Sequence, residues 1–172
     1  MCIRDSYKTY DYFEGERDLK ERLIRTVGEP RERFEEDALR IIRGLRFQAQ
    51  LDFKIVDNTF DAMRKQIADI QYLSIERIVV ELKKLIKGIN VAQSFNQMKE
   101  IDAFKHIPFF NSFNMQRVHI DEPLEFEMWI AIMLAQQPMT DTLKLLKISN
   151  NEKSNIHTLA CLLYTSPSPR DL

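Results

Sequence analysis

Arg33-Phe34-Glu35-Glu36-Asp37-Ala38-Leu39-Arg40-Ile41-Ile42-Arg43-Gly44-Leu45-Arg46-Phe47 is the stretch whose reading decides the fold. At about 100° per residue, Ala38, Ile41, Ile42, Leu45 and Ala49 fall on one side, at the i, i+3, i+4, i+7 spacing of a core-facing stripe. Glu36, Arg40 and Arg43 gather on the opposite side, with Asp37 and Arg46 on its flanks. Pro30 suits the first turn of such a helix, which is expected to run from there to about Ala49 as one rigid element.

A solvated surface is sufficient to account for that charged face, since Glu and Arg three or four apart support one another by roughly 0.2–0.5 kcal/mol per pair. Base chemistry offers a sharper reading. A carboxylate accepts hydrogen bonds and a guanidinium donates them. Cytosine and adenine both present an amino donor beside a ring-nitrogen acceptor, whereas uracil and guanine present a carbonyl beside a ring N–H. An adjacent Asp and Arg can therefore satisfy C and A while leaving groups unpaired against U and G, a costly mismatch in a buried site.

Working outward, the chain reads as mostly α. Asp57 or Asn58 can cap a helix through about Ile70 that turns Phe60, Met63, Ile67 and Ile70 inward. Ser74 is placed to cap another, with Ile75, Ile78, Val79, Leu82, Leu85 and Ile86 as its apolar stripe. Gly88 stands where a helix C-terminal glycine belongs. Lys83, Lys84 and Lys87 crowd that last turn, where they either favour the helix dipole or contact phosphate. Leu51-Asp52-Phe53-Lys54-Ile55 alternates apolar and polar over too short a span to decide between strand and extended linker. From about residue 90 the chain becomes more apolar. Asn90–Met98 reads as a helix, then a turn-rich stretch follows around Pro108, Asn111 and Asn114. Leu124–Gln136 is apolar around much of its circumference and is expected to be buried, with Met128 and Met133 as core filler. Thr140–Ile148 reads as a short helix, and another begins at Asn150.

Composition narrows the function classes. The 172 residues carry 25 Lys and Arg against 26 Asp and Glu, a formal net charge of −1, so a generic electrostatic nucleic-acid binder is excluded. Residues 7–87 hold 17 basic against 16 acidic side chains and residues 88–160 hold 6 against 8, so any RNA contact must be local. His106, His119 and His157 are scattered, with no second ligand at metal spacing, and no glycine-rich phosphate loop or Cys pair appears. No apolar run approaches the ~20 residues of a membrane span.

The two termini carry a separate signal. Met1-Cys2-Ile3-Arg4-Asp5 and Cys161-Leu162-Leu163-Tyr164-Thr165 can be coded by one nucleotide sequence and its reverse complement, as read-through into a sequencing adaptor would leave. Residues 1–6 and 161–172 are therefore expected to be adaptor-derived, which leaves 7–160 as native sequence without cysteine. A reducing, cytoplasmic location fits that composition.

Several segments, in order, carry a resemblance. Asp11-Tyr12-Phe13-Glu14-Gly15-Glu16-Arg17-Asp18-Leu19, Glu36-Asp37-Ala38-Leu39-Arg40-Ile41-Ile42-Arg43 and Ser74-Ile75-Glu76-Arg77-Ile78-Val79-Val80-Glu81-Leu82 resemble the hinge, template helix and following neck helix of bacterial class II tRNA nucleotidyltransferases. These are the CCA-adding enzymes, which share their fold with bacterial poly(A) polymerases. Many members have Gly where this chain has Glu14. The resemblance implies a remnant of the catalytic head and hinge at 7–29, a neck at 30–88 and part of a helical body at 89–160. It implies that Asp37 and Arg40 pair with the incoming base of CTP or ATP, that Glu36 orients the pair, and that Arg43 helps hold base or triphosphate. Asp11, Gly15 and Asp18 would form the hinge, and Lys83, Lys84 and Lys87 could touch the tRNA 3′ end. The Mg²⁺-binding aspartates belong to a head not present in this stretch, so the fragment is expected to be inactive alone. A poly(A) polymerase, a CC-adding or A-adding enzyme, or a non-catalytic RNA-binding module remain as alternatives.

Overall fold

The computed structural model describes residues 11–136 and 142–165. Helices dominate: α1 (Gly15–Glu21), α2 (Pro30–Glu36), α3 (Leu39–Leu51), α4 (Asp57–Gln66), α5 (Ile75–Leu85), α6 (Val91–Glu100), α7 (Phe126–Gln136) and α8 (Asn150–Thr165). Two short strands, β1 (Leu23–Ile24) and β2 (Lys54–Ile55), pair in parallel with Leu23 opposite Lys54 and Ile24 opposite Ile55. Of the alternating stretch 51–55, Lys54 and Ile55 form a strand, while Leu51 closes α3 and Asp52 turns left-handed behind it, and the strand ties residues 23–24 to the helices that follow. Before α2, Gly28 adopts φ 82°, the left-handed turn conformation that a residue without Cβ tolerates.

The stripe expected on the opening stretch is buried: Ile41, Ile42, Leu45 and Ala49 are fully inaccessible and Ala38 nearly so. The single helix expected over it is not formed. The chain breaks at Asp37, whose backbone is extended at φ −155° and ψ 102°, and α3 starts afresh at Leu39. The break puts Asp37 immediately ahead of α3, where an acidic side chain is favoured by the helix dipole. Asp37 accepts a hydrogen bond from the Leu39 N–H through Oδ1 at 3.1 Å, the local side-chain bond that competes with continuous helix.

α5 packs along α3 in the same chain direction, with Ile78, Val79, Leu82 and Leu85 buried as the stripe requires. Ser74 does precede α5, but without a side-chain capping bond. The helix begun at Asp57 ends at Gln66, and Ile67–Tyr72 continue as a tighter 3₁₀ stretch that still buries Ile67 and Ile70. Gly88 is not a left-handed cap. A Cβ there would come within 2.5 Å of the Ala49 backbone, so its role is to let the end of α5 press against α3. The adjoining Asn90 N–H donates to the Ala49 carbonyl at 2.9 Å.

The region read as turn-rich is an aromatic core. Three short 3₁₀ turns, Ala103–His106, Phe110–Ser112 and Met115–Arg117, place Phe104, Phe109, Phe110 and Phe113 inward. Phe110 stacks on Trp129 of α7 at 5.2 Å, and Phe95 of α6 meets the same indole edge-on at 5.8 Å. Pro108 and the asparagines punctuate the backbone, while the phenylalanines between them supply burial. α7 is buried as expected, Met133 fully and Met128 partly. Within the expected helix at 140–148, Thr142–Leu146 form a 3₁₀ stretch instead, and 140–141 lie outside the described residues.

α8 packs on α7, and its first turn is held by a reciprocal cap. Ser149 N–H and Oγ–H donate to Glu152 Oε2 at 2.9 and 2.7 Å, and the Glu152 N–H donates back to Ser149 Oγ at 3.2 Å. Lys83 of α5 pairs with the other oxygen of Glu152. That ammonium, with the Ser149 donors, holds the Glu152 carboxyl at about 2, below its usual 4.5. The contribution of this carboxylate is therefore complete above about pH 4.5 and is lost as the pH falls toward about 2. Protection of the α8 amides, taken relative to their intrinsic exchange at each pH, is expected to fall as the pH drops through that window, and Glu152→Gln is expected to flatten the dependence. Gly88→Ala is expected to lower stability by about 1–3 kcal/mol through overpacking against Ala49, read as a fall in the urea midpoint.

Candidate functional site

The elbow between α2 and α3 brings the predicted template residues together in a way a straight helix would not. Asp37 caps α3 through Oδ1, and its Oδ2 accepts from Nη2 of Arg77 in α5 at 3.0 Å. Arg40 reaches back across the break. Its Nη1 donates to Glu36 Oε2 at 2.7 Å and to the Arg33 carbonyl at 3.0 Å, a carbonyl in the last turn of α2 that also accepts the Asp37 N–H at 3.4 Å. Glu36 Oε1 meets Arg33 Nη2 at 2.8 Å. Asp37 therefore starts α3 while Arg40 finishes α2. Both side chains are half-buried.

Arg43 is turned away from this group. Its Nε donates to Glu81 Oε1 at 3.1 Å, while Arg46 Nε lies 3.3 Å from Glu81 Oε2. The Glu81 side chain is only 6% exposed, so two guanidiniums from α3 offset one buried carboxylate from α5. Arg77 and Glu81 were not singled out as site residues from the sequence. The available signal was their spacing: four apart on one helix, at the edge of an apolar stripe, with opposite charges. Which residues they would meet depended on the packing of α5 against α3, which the sequence pattern does not specify.

The residues expected to form a hinge occupy a separate region. Asp11 accepts from the backbone N–H groups of Phe13, Gly15 and Glu16 at 3.2, 2.8 and 2.9 Å, so it caps α1. The bonds from Glu16 and then Gly15 hold its carboxyl below the usual carboxylate range. Asp18 pairs with Arg25 at 2.7 Å. Glu14, where many resembling sequences have Gly, lies at φ 58° and ψ 30°, the left-handed region that favours glycine. Gly15 and Asp18 line an open groove of about 500 Å³ whose other walls include Phe13, Leu19, Phe47 and Leu51, beside the C-terminal half of α3. The template group sits at the other end of that helix.

The lysines also divide. Lys83 is engaged with Glu152, and Lys87 pairs with Glu125 at 2.6 Å; Lys84 is exposed. Among the described residues, no three His, Cys, Asp or Glu converge as a metal site needs, so no chemical step is assigned to a metal held by this chain. Among them, too, no helix is long and apolar enough to cross a membrane.

Comparison with known proteins now places this architecture. Residues 52–114 match the family described as "Probable RNA and SrmB- binding site of polymerase A". The CCA-adding enzyme of Staphylococcus epidermidis is 60% identical over 94% of this chain, and that of Staphylococcus haemolyticus 51% identical over 97%. The chain spans only 40% and 42% of those two proteins. The Bacillus stearothermophilus CCA-adding enzyme in complex with CTP superposes over 94% of this chain and 43% of its own, with TM-score 0.77 and 24% identity. The Thermotoga maritima CCA-adding enzyme complexed with tRNA matches over 86% of this chain and 40% of its own, with TM-score 0.63 and 22% identity. At that distance the two structures attest the fold. The sequence relatives carry the assignment: the chain belongs to the CCA-adding enzyme family, as a helical segment of about two-fifths of its length.

Removing the charge of Glu81 leaves Arg46, 13% exposed, facing an uncharged partner. Glu81→Gln is therefore expected to cost about 2–4 kcal/mol. Glu76→Gln, at an exposed pair with Lys147, is expected to cost under about 1 kcal/mol, so paired urea denaturations of the two variants check the assignment.

Proposed function

We propose that this chain is the base-selecting neck and adjoining body of a tRNA nucleotidyltransferase that adds C and A, from CTP and ATP, to the tRNA 3′ end. The observation that carries this reading is the elbow: an acceptor-only carboxylate and a donor-only guanidinium three residues apart, each held in place by another side chain. Asp37 would accept from the exocyclic amino group of cytosine or adenine, and Arg40 would donate to the neighbouring ring nitrogen. Uracil or guanine would set a carbonyl against the carboxylate and a ring N–H against the guanidinium. Glu36 orients Arg40. Arg43, anchored on Glu81, leaves more than two-fifths of its side chain exposed for base or triphosphate.

Phosphoryl transfer itself would use Mg²⁺ held by paired aspartates of a head domain outside this chain, which supplies the Lewis acidity for attack on the α-phosphate. Asp11, Gly15 and Asp18 would join that head to the neck. The exposed Lys84 is the lysine of its cluster best placed to meet RNA phosphate. The protein would work in the cytoplasm, where tRNA is matured. Residues 1–6 and 161–172 are read as adaptor-derived, although α8 runs on through Cys161 to Thr165.

A poly(A) polymerase of the same superfamily is the second reading, favoured by the family match over 52–114. A hybrid separates the two. Residues 11–160 would replace the matching segment of the S. epidermidis enzyme, and extension of a tRNA ending before CCA would be compared with extension of an unrelated RNA primer. The CCA-adding reading expects CMP and AMP on the tRNA alone; runs of AMP on both substrates would favour the polymerase. In the same hybrid, Asp37→Ala is expected to raise UMP and GMP incorporation relative to CMP and AMP by at least tenfold while changing tRNA affinity little. Unchanged rejection of UTP and GTP would remove Asp37 from the template.

A further inference from the structure

α6, the first helix of the body, packs on α3. Leu45 and Ala49 of α3 and Val91, Phe95 and Met98 of α6 are all buried. Amid these apolar residues, Gln48 and Ser94 are each 0% exposed, and Ser94 Oγ–H donates to Gln48 Oε1 at 3.1 Å. The Gln48 amide nitrogen is buried as well and finds no acceptor among the described residues. A buried donor without a partner is costly, and apolar side chains of similar size would fill the same space without one. The pair is therefore a poor device for stability.

Its value is directional. The chain enters α6 at Asn90, whose N–H donates to the Ala49 carbonyl at 2.9 Å and whose side-chain amide donates to Asp52 Oδ1 at 2.5 Å. That anchor holds one end of α6 as a pivot. Apolar packing around a pivot tolerates small changes of tilt and roll, and the unbranched Met98 adapts easily. Ser94 stands four residues on, about one helical turn along α6. A second fixed point gives the helix a direction. Dispersion alone does not supply it, whereas a displaced Ser94 would leave both its hydroxyl and the Gln48 carbonyl unpaired in the core.

We propose that Gln48 and Ser94 are positioning residues: their buried contact fixes the angle between α3 and α6, and so sets where RNA held by the body meets the elbow. α3 begins beside the elbow and carries Gln48 in its last turn. α6 lies within residues 52–114, the stretch matched by the RNA-binding family description, and Gln48 lies outside it. The contact thus bridges the helix that reads the base and the segment that holds the RNA. Its RNA-positioning part rests on the function proposed above, the fixed angle does not, and the test separates the two.

The experiment replaces both residues by apolar ones, Gln48→Met with Ser94→Ala, in the full 172-residue chain and in the hybrid with the S. epidermidis enzyme. In the chain, the NMR amide resonances of residues 91–100 are expected as one set in the unaltered protein. In the variant they are expected to double or broaden, with the urea midpoint unchanged or higher. In the hybrid, KM for tRNA is expected to rise about tenfold, the worth of one unmet buried hydrogen bond, while KM for CTP stays within about twofold. A single sharp set of resonances in the variant overturns the proposal, as does doubling already present in the unaltered chain. A lower midpoint with the single set kept shows the pair serving stability instead. Equal rises in both KM values, or no rise in either, overturn the positioning of RNA. Should the unaltered hybrid add nothing to tRNA, the proposed function falls, and the resonances alone decide whether the contact fixes the angle. If the double variant fails to fold, Gln48→Met alone decides by the same readings, since the Ser94 hydroxyl it frees can bond to a carbonyl of its own helix.

Discussion

The elbow at Asp37 is the constraint on which the site depends. A helix that stops must leave carbonyls unpaired, and one that starts must leave N–H groups unpaired. Here the same few residues serve both ends: the Arg33 carbonyl in the last turn of α2 accepts both the Asp37 N–H and the Arg40 side chain, and the Asp37 carboxylate reaches forward to an early N–H of α3. Phe34 and Leu39, on either side of the break, are buried, so the bend is fixed by packing as well as by hydrogen bonds. The residues proposed to read the base are therefore part of the backbone connection. Their directions are set before any nucleotide arrives, and the ordering cost of binding is correspondingly lower.

α5 is the second support. It lies along α3 with its buried stripe inward and sends two polar side chains to the template group from the edge of that stripe, Arg77 to Asp37 and Glu81 to Arg43 and Arg46. Gly88 then allows the end of α5 to sit against Ala49. The spacing along the two helices matches, 37 with 77, 43 and 46 with 81, and 49 with 88, so a shift of α5 along its axis would disturb every contact together. The placement of the proposed base-reading residues therefore depends on α3 and α5 together.

Much of this was legible beforehand. The apolar stripes of α3 and α5 identify the buried residues correctly because hydrophobic periodicity reports burial directly. The break at Asp37 was missed for a physical reason: the same residues that continue a helical pattern also contain an acidic cap, and periodicity does not weigh one against the other. The aromatic core around Phe104, Phe109 and Phe110 was hidden behind Pro108 and two asparagines, since 3₁₀ turns follow neither the 3.6-residue nor the two-residue period. Arg77 and Glu81 could not be assigned from spacing, because their partners lie about 40 residues away in sequence. The template roles of Asp37 and Arg40 are implied by the resemblance, and the donor and acceptor chemistry of their side chains supplies a reason for them.

The most direct measurement is a crystal structure of the 172-residue chain soaked with CTP. We expect the cytosine amino group within hydrogen-bond distance, about 2.7–3.2 Å, of the Asp37 carboxylate, its ring nitrogen facing Arg40, and the α2–α3 bend unchanged. Cytosine seated elsewhere, with Asp37 still engaged only by Leu39 and Arg77, would contradict base selection at the elbow.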